Sequence, residues 1–169
     1  MASVLRLARP AAMRLAARST PMTARPIVRS FTTSRLNLEK LYTKDHEWIE
    51  MSADRKTAVI GITEYAAEQL GDVVYVELPV ETGDFIEQGD AFGAVESVKS
   101  ASDINAPVRC RVTEGNKLLE EKPATINKVP EDDSNNGGWI VKVELDEAGA
   151  NQADELMNAQ AYKDFTDSE

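Results

Sequence analysis

The feature that most limits what this chain can fold into is a series of short apolar runs, none longer than eight residues, cut at close intervals by Gly and Pro. They read AVIGI at 58–62, DVVYVEL at 72–78 (stopped by Pro79), FGAVESV at 92–98, APVRCRV at 106–112 and GWIVKVEL at 138–145. Runs this short, rich in β-branched and aromatic residues, predict an antiparallel sandwich or flattened barrel. Helical stretches are few. EYAAEQL at 64–70 follows Thr63, a plausible cap, and ends at Gly71. From 151 to 165, Ala153, Leu156, Met157 and Tyr162 are spaced like one helical face. EDDSNNGG at 131–138 reads as a polar loop without a packing signal.

An internal echo predicts where the chain turns. Gly83-Asp84 and Gly89-Asp90 lie six residues apart around Phe85 and Ile86, and each pair suits a tight corner. Such corners feed a hairpin between the runs at 92–98 and 106–112. Ser100, Ala101, Ser102 and Asp103 would form its small, turn-prone link, with Lys99 at the exposed tip. Taken alone, that lysine is a solvated cation serving solubility.

Charge divides the chain in two. Residues 1–38 contain no acid, and their seven basic residues are all Arg, set among small and hydroxylated residues. That is the composition of a mitochondrial transit peptide. RSFTTSRLNL at 29–38 is similar to a two-step processing pattern that would leave Glu39 as the mature N-terminus, with a single cut near Phe31 as the alternative. The expected division is therefore a transit peptide at 1–38 and a single folded domain at 39–169. Of the chain's 19 basic and 29 acidic residues, residues 39–169 hold 12 and 29, a formal charge of −17. A surface so acidic repels nucleic acid and anionic lipid. The single His46 excludes a zinc site of ordinary His/Cys composition, and the single Cys110 excludes an internal disulfide. Neither supplies the pairings of nucleophilic catalysis, so the sequence does not read as an enzyme.

GDFIEQGD at 83–90, ESVKSASD at 96–103 and APV at 106–108 closely resemble the lipoyl/biotinyl attachment fold. More narrowly, the chain resembles the H-protein family of the glycine cleavage system. YTKDHEW at 42–48, LGDVVYVELP at 70–79, GGWIVKV at 137–143 and Ala159-x-Ala161-Tyr162 also match, so the likeness runs from about 41 to 166. Biotin carriers place their lysine between two Met residues, and lipoyl domains of 2-oxoacid dehydrogenases usually present Asp-Lys-Ala. Here the triplet is Val98-Lys99-Ser100.

The resemblance implies a mainly β, lipoyl-type flattened barrel-sandwich with short helices, one of them C-terminal. It implies lipoic acid in amide linkage to Lys99, and a mitochondrial matrix carrier without catalytic residues of its own. Its partners would be the glycine-decarboxylating P protein, the folate-dependent T protein, the flavoprotein L protein and a lipoylating enzyme. Nucleic acid and membrane are not among them. A lipoyl carrier, or lipoyl donor, for another mitochondrial complex shares the same motif. Positions matching the family's sheltering cleft include Glu47 and Asp103, whose carboxylates could bind the arm's amine. Asp45 and Tyr65 stand where other members carry Ser and His. One departure is Arg109-Cys110, where the family usually has Ser-Gly. If that position needs positive φ, Cys fits poorly; if it needs only a small buried residue, Cys fits well.

Overall fold

Alternation of apolar and polar side chains builds the strands, as in the VKVEL segment, whose first, third and fifth residues are buried. The computed structural model describes residues 39–79 and 83–168, so the expected transit peptide lies outside the described residues. In chain order the elements begin with β1 (Lys40–Tyr42), β2 (Glu47–Met51), β3 (Thr57–Ile62), α1 (Glu64–Leu70) and β4 (Val73–Glu77). Next come β5 (Ala91–Ser97), β6 (Ala101–Asn105), β7 (Cys110–Gly115), α2 (Lys117–Glu121) and a 3-10 turn, Pro123–Thr125. The chain closes with β8 (Val141–Leu145), α3 (Glu147–Gln152), a second 3-10 turn at Ala153–Glu155, β9 (Met157–Asn158) and α4 (Ala159–Thr166).

Two antiparallel sheets result, one of six strands in the order β7-β8-β3-β2-β1-β9 and one of three in the order β4-β5-β6. The mainly β expectation is met. Ile49, Ile60 and Val143 from the larger sheet and Val76, Val95 and Ile104 from the smaller belong to one core, each at most 1% exposed. Burying side chains of this size contributes roughly 1.5–3 kcal/mol each, which makes this interlayer the main stabilising element.

The helix at 64–70 forms as expected: Thr63 Oγ1 accepts from Ala66 N–H, and Gly71 ends it at φ 75°. Gly83 and Gly89 also take positive φ, as the two Gly-Asp corners require. Three expectations change. The run at 106–112 is not the partner strand of the Lys99 hairpin. ASDIN at 101–105 pairs with β5 instead, because Ile104 can enter the core while Ala101 and Asp103 stay outside. The C-terminal stretch is not one helix: Asp146 and Asn158 cap α3 and α4 separately, and Met157 pairs with Tyr42 between them. The loop at 131–138 is packed, since a Cβ on Gly137 would lie 1.9 Å from the Asp132 carbonyl oxygen and one on Gly138 2.6 Å from that of Val129.

Gly149 in α3 gives a test in which two effects oppose. Gly to Ala inside a helix ordinarily gains about 1 kcal/mol. Here the added Cβ would lie 2.0 Å from the backbone oxygen of Arg109, which cannot rotate away. Overpacking of this kind costs about 1–3 kcal/mol, so Gly149→Ala is expected to lower the urea midpoint. A raised midpoint would show that β7 shifts freely against α3.

Candidate functional site

Lys99 stands at the tip of the β5–β6 hairpin, in a three-residue link whose shape is set by Ser97. The Ser97 hydroxyl accepts from the backbone N–H groups of Lys99 (3.1 Å) and Ser100 (3.0 Å), while Ser97 N–H donates to the Ser100 carbonyl (2.7 Å). Val98 N–H donates to the Asp72 carbonyl at 3.1 Å, pinning the tip to the start of β4. The turn therefore owes nothing to the lysine side chain, which is exposed. No ion pair or hydrogen bond engages its amine among the described residues. The Nζ lies above the end of α1, 3.7 Å from where a Cβ on Gly71 would be.

Beside the tip runs a cleft of about 420 Å³. Tyr65, Gln69 and Leu70 of α1 form one wall, Ser100, Ser102 and Asp103 the other, and Asp45, His46 and Glu47 the floor. The expected Glu47 and Asp103 are thus brought together, but in different states. Asp103 is exposed on β6. Glu47 is 2% exposed, and its carboxyl is already bonded within the protein. It accepts from Asn105 N–H at 3.0 Å and from the Thr43 hydroxyl, whose oxygen in turn accepts Glu47 N–H at 3.0 Å. Burial pushes its carboxyl above the usual glutamate value, more strongly than these hydrogen bonds pull it down. Asp45 and Asp103 are the exposed carboxylates on the cleft.

His46 is the residue that sequence reasoning passed over. It has φ 71°, uncommon for a non-glycine residue, and its Nδ1 is 2.8 Å from the Tyr162 hydroxyl on α4. Tyr162 also meets Thr63 Oγ1 at 2.8 Å and stacks on Tyr42 at 4.6 Å, so the last helix fastens the cleft floor. The available signal was Ala159-x-Ala161-Tyr162, noted only as a family match. Cys110 settles the question raised by Arg109-Cys110. It is fully buried in β7, outside the positive-φ set, with burial pushing its thiol up to about 12. A small buried hydrophobe is what the site holds.

A family model described as "Glycine cleavage H-protein" matches residues 40–169. The chain is 46% identical over 128 residues to "Glycine cleavage system H protein 2, mitochondrial" of Arabidopsis thaliana, covering 76% of each chain. It is 49% identical over 124 residues to the glycine cleavage system H protein of Caulobacter vibrioides, covering 73% of this chain and 95% of that one. A crystal structure of a glycine cleavage system H protein from Mycobacterium marinum superposes with TM-score 0.66 at 34% identity, covering 77% of this chain and 98% of that one. The two-sheet architecture is therefore the lipoyl-type barrel-sandwich expected from the sequence.

Glu47 makes the site's electrostatics measurable. A carboxyl whose folded pKa is raised stabilises fully below the ordinary value, near 4.5, and loses that contribution as pH rises through the folded value. Gln in its place keeps an acceptor for Asn105 N–H and carries no charge at any pH. The stability of Glu47→Gln relative to wild type is therefore expected to improve as pH rises from about 4 to about 7. Glu47→Ala, which abandons the Asn105 N–H, is expected to lose about 1–3 kcal/mol at neutral pH. Urea unfolding at both pH values checks this; a Gln-minus-wild-type difference that does not move with pH would mean Glu47 is solvated.

Proposed function

Because this chain belongs to the glycine cleavage H-protein family, we propose that Lys99 is its sole point of lipoyl attachment. The chain is the lipoyl-bearing shuttle of glycine cleavage, a carrier subunit and not a catalyst. The observation that carries the Lys99 reading is an exposed amine with no partner among the described residues, on a turn braced by Ser97 and Asp72, at the mouth of a cleft. The tip fits the group: converting the amine to an amide breaks no described hydrogen bond or ion pair, and the link keeps its shape through the Ser97 hydroxyl and backbone bonds.

When bound, the lipoyl group supplies a dithiolane, a reversible acceptor for an aminomethyl group and for two electrons. The protein's own residues do the rest. The hairpin presents the attachment point at an exposed tip, so one arm can serve several active sites in turn at high local concentration. The cleft walls give a loaded arm a place out of bulk water, with Asp45 and Asp103 as the carboxylates in reach of a cationic amine. Glu47 supports that cleft as a strut between strands.

The partners in this reading are the decarboxylating P protein, the folate-dependent T protein, the L protein that reoxidises the arm, and a lipoylating enzyme. The acid-free, Arg-rich leader supports import into the mitochondrial matrix, with residues 39–169 as the mature domain. The mitochondrial name of the Arabidopsis relative points the same way.

Intact-mass spectrometry of the protein from its source mitochondria tests both statements together. A mature chain starting at Glu39 (or Phe31 if only one cut occurs) and carrying one lipoyl mass is expected. Lys99→Arg should fold within about 0.5 kcal/mol of wild type, as exposed substitutions do, yet lack that mass and support no glycine decarboxylation. A Lys99→Arg protein that keeps the mass would overturn the assignment, and a mature chain beginning near Met1 would overturn the leader.

A further inference from the structure

Exposed large apolar residues are scarce in this protein: among the described residues they are Val74 at 53%, Tyr75 at 51%, Val98 at 74% and Val129 at 38%. The first three gather at the Lys99 tip, and local irregularities put them there. In a regular strand with Val73 buried, Tyr75 would turn inward with it. The β4–β5 register slips between Val73 and Tyr75, and after the slip Val76 is buried, leaving Val74 and Tyr75 both outside. Tyr75 then sits directly across from Glu96 on the outer face. Val98, beside Lys99 in the turn, is tied by its N–H to Asp72, two residues before Val74.

We propose that Val74, Tyr75 and Val98, edged by Asp72 and Glu96, form a docking collar on which a partner enzyme seats when it takes the arm. The proposal rests on the reading of Lys99 as the attachment site. It concerns the β4 side of the tip, whereas the cleft lies on the β6 side. The occupant is the mouth of an enzyme channel, with an apolar lip ringed by Lys and Arg; the decarboxylating partner is the one to test. Two features argue for that chemistry. Apolar side chains left in water at a working tip gain their burial energy only when another surface covers them. The collar's edge is acidic, on a domain of formal charge −17, so a basic rim is attracted and an acidic one repelled. Acylation of Lys99 removes the cation next to Val98, so in the arm-bearing form Asp72 and Glu96 edge the patch without that opposing charge.

The test uses the mature, lipoylated protein and its Tyr75→Ser, Val98→Ser and Asp72→Asn/Glu96→Gln variants. Unfolding temperature and intact mass first confirm that each is folded and carries the arm. In decarboxylation assays with the carrier as varied substrate, Tyr75→Ser and Val98→Ser are expected to raise KM about tenfold with kcat retained, the signature of lost docking area. The wild-type KM is expected to rise with ionic strength between roughly 50 and 300 mM salt, and the acid-edge variant should weaken that rise. Folded, lipoylated variants with wild-type KM would overturn the collar and leave Lys99 standing. A Lys99→Arg chain that still bears the arm would overturn the attachment reading, and the collar with it.

Discussion

The two sheets are held against each other by apolar contact, which is strong but has no direction. What gives the smaller sheet a fixed seat at the cleft is one buried carboxylate. Glu47 belongs to β2 of the large sheet, and its oxygen takes the N–H of Asn105 at the end of β6 in the small one. The other oxygen takes the Thr43 hydroxyl, so a group that is costly to bury unpaired has its partners supplied from both sides. The bond lies at the base of the hairpin that ends in Lys99. The height of the tip above the body, the width of the cleft and the facing of β6 toward α1 all inherit that register.

Around this seat the structure separates what must be rigid from what must move. Ser97 and the Asp72 carbonyl hold the turn, Tyr162 holds the cleft floor through His46 and Thr63, and Gly71 closes α1 under the lysine. The lysine side chain, by contrast, is held by nothing described. A carrier that visits several enzymes needs this division: a stiff body makes each encounter reproducible, and freedom confined to one side chain costs no fold stability.

Much of this was legible in the sequence, for identifiable reasons. AVIGI, DVVYVEL and WIVKVEL declare strands through β-branched residues in short runs, and α1 is framed by a Thr cap and a Gly stop. Lys99 was visible because small residues and Gly-Asp corners surround it. The 131–138 loop misled because its order comes from backbone approaches that only Gly permits, and two glycines in a polar run look like slack. Glu47 differs from the expected amine-binding carboxylate because it is buried and spends its oxygens on Asn105 and Thr43. The clue lay in its neighbours Trp48 and Ile49, which are fully buried in the same strand. The C-terminal apolar spacing looks like one helical face because it runs across a break that Asn158 marks only as a cap. Propensity describes each stretch alone, and pairing across the sheet decides the break.

Gly71 has a further bearing on the lysine above it. Its φ of 75° ends the helix, and its missing side chain leaves bare backbone beneath the lysine amine. A single Cβ there would only touch the lysine side chain, but a longer side chain would compete with it for the space above the helix end. For the proposed attachment at Lys99, the helix stop therefore also acts as a clearance, because the smallest residue leaves room beneath the amine.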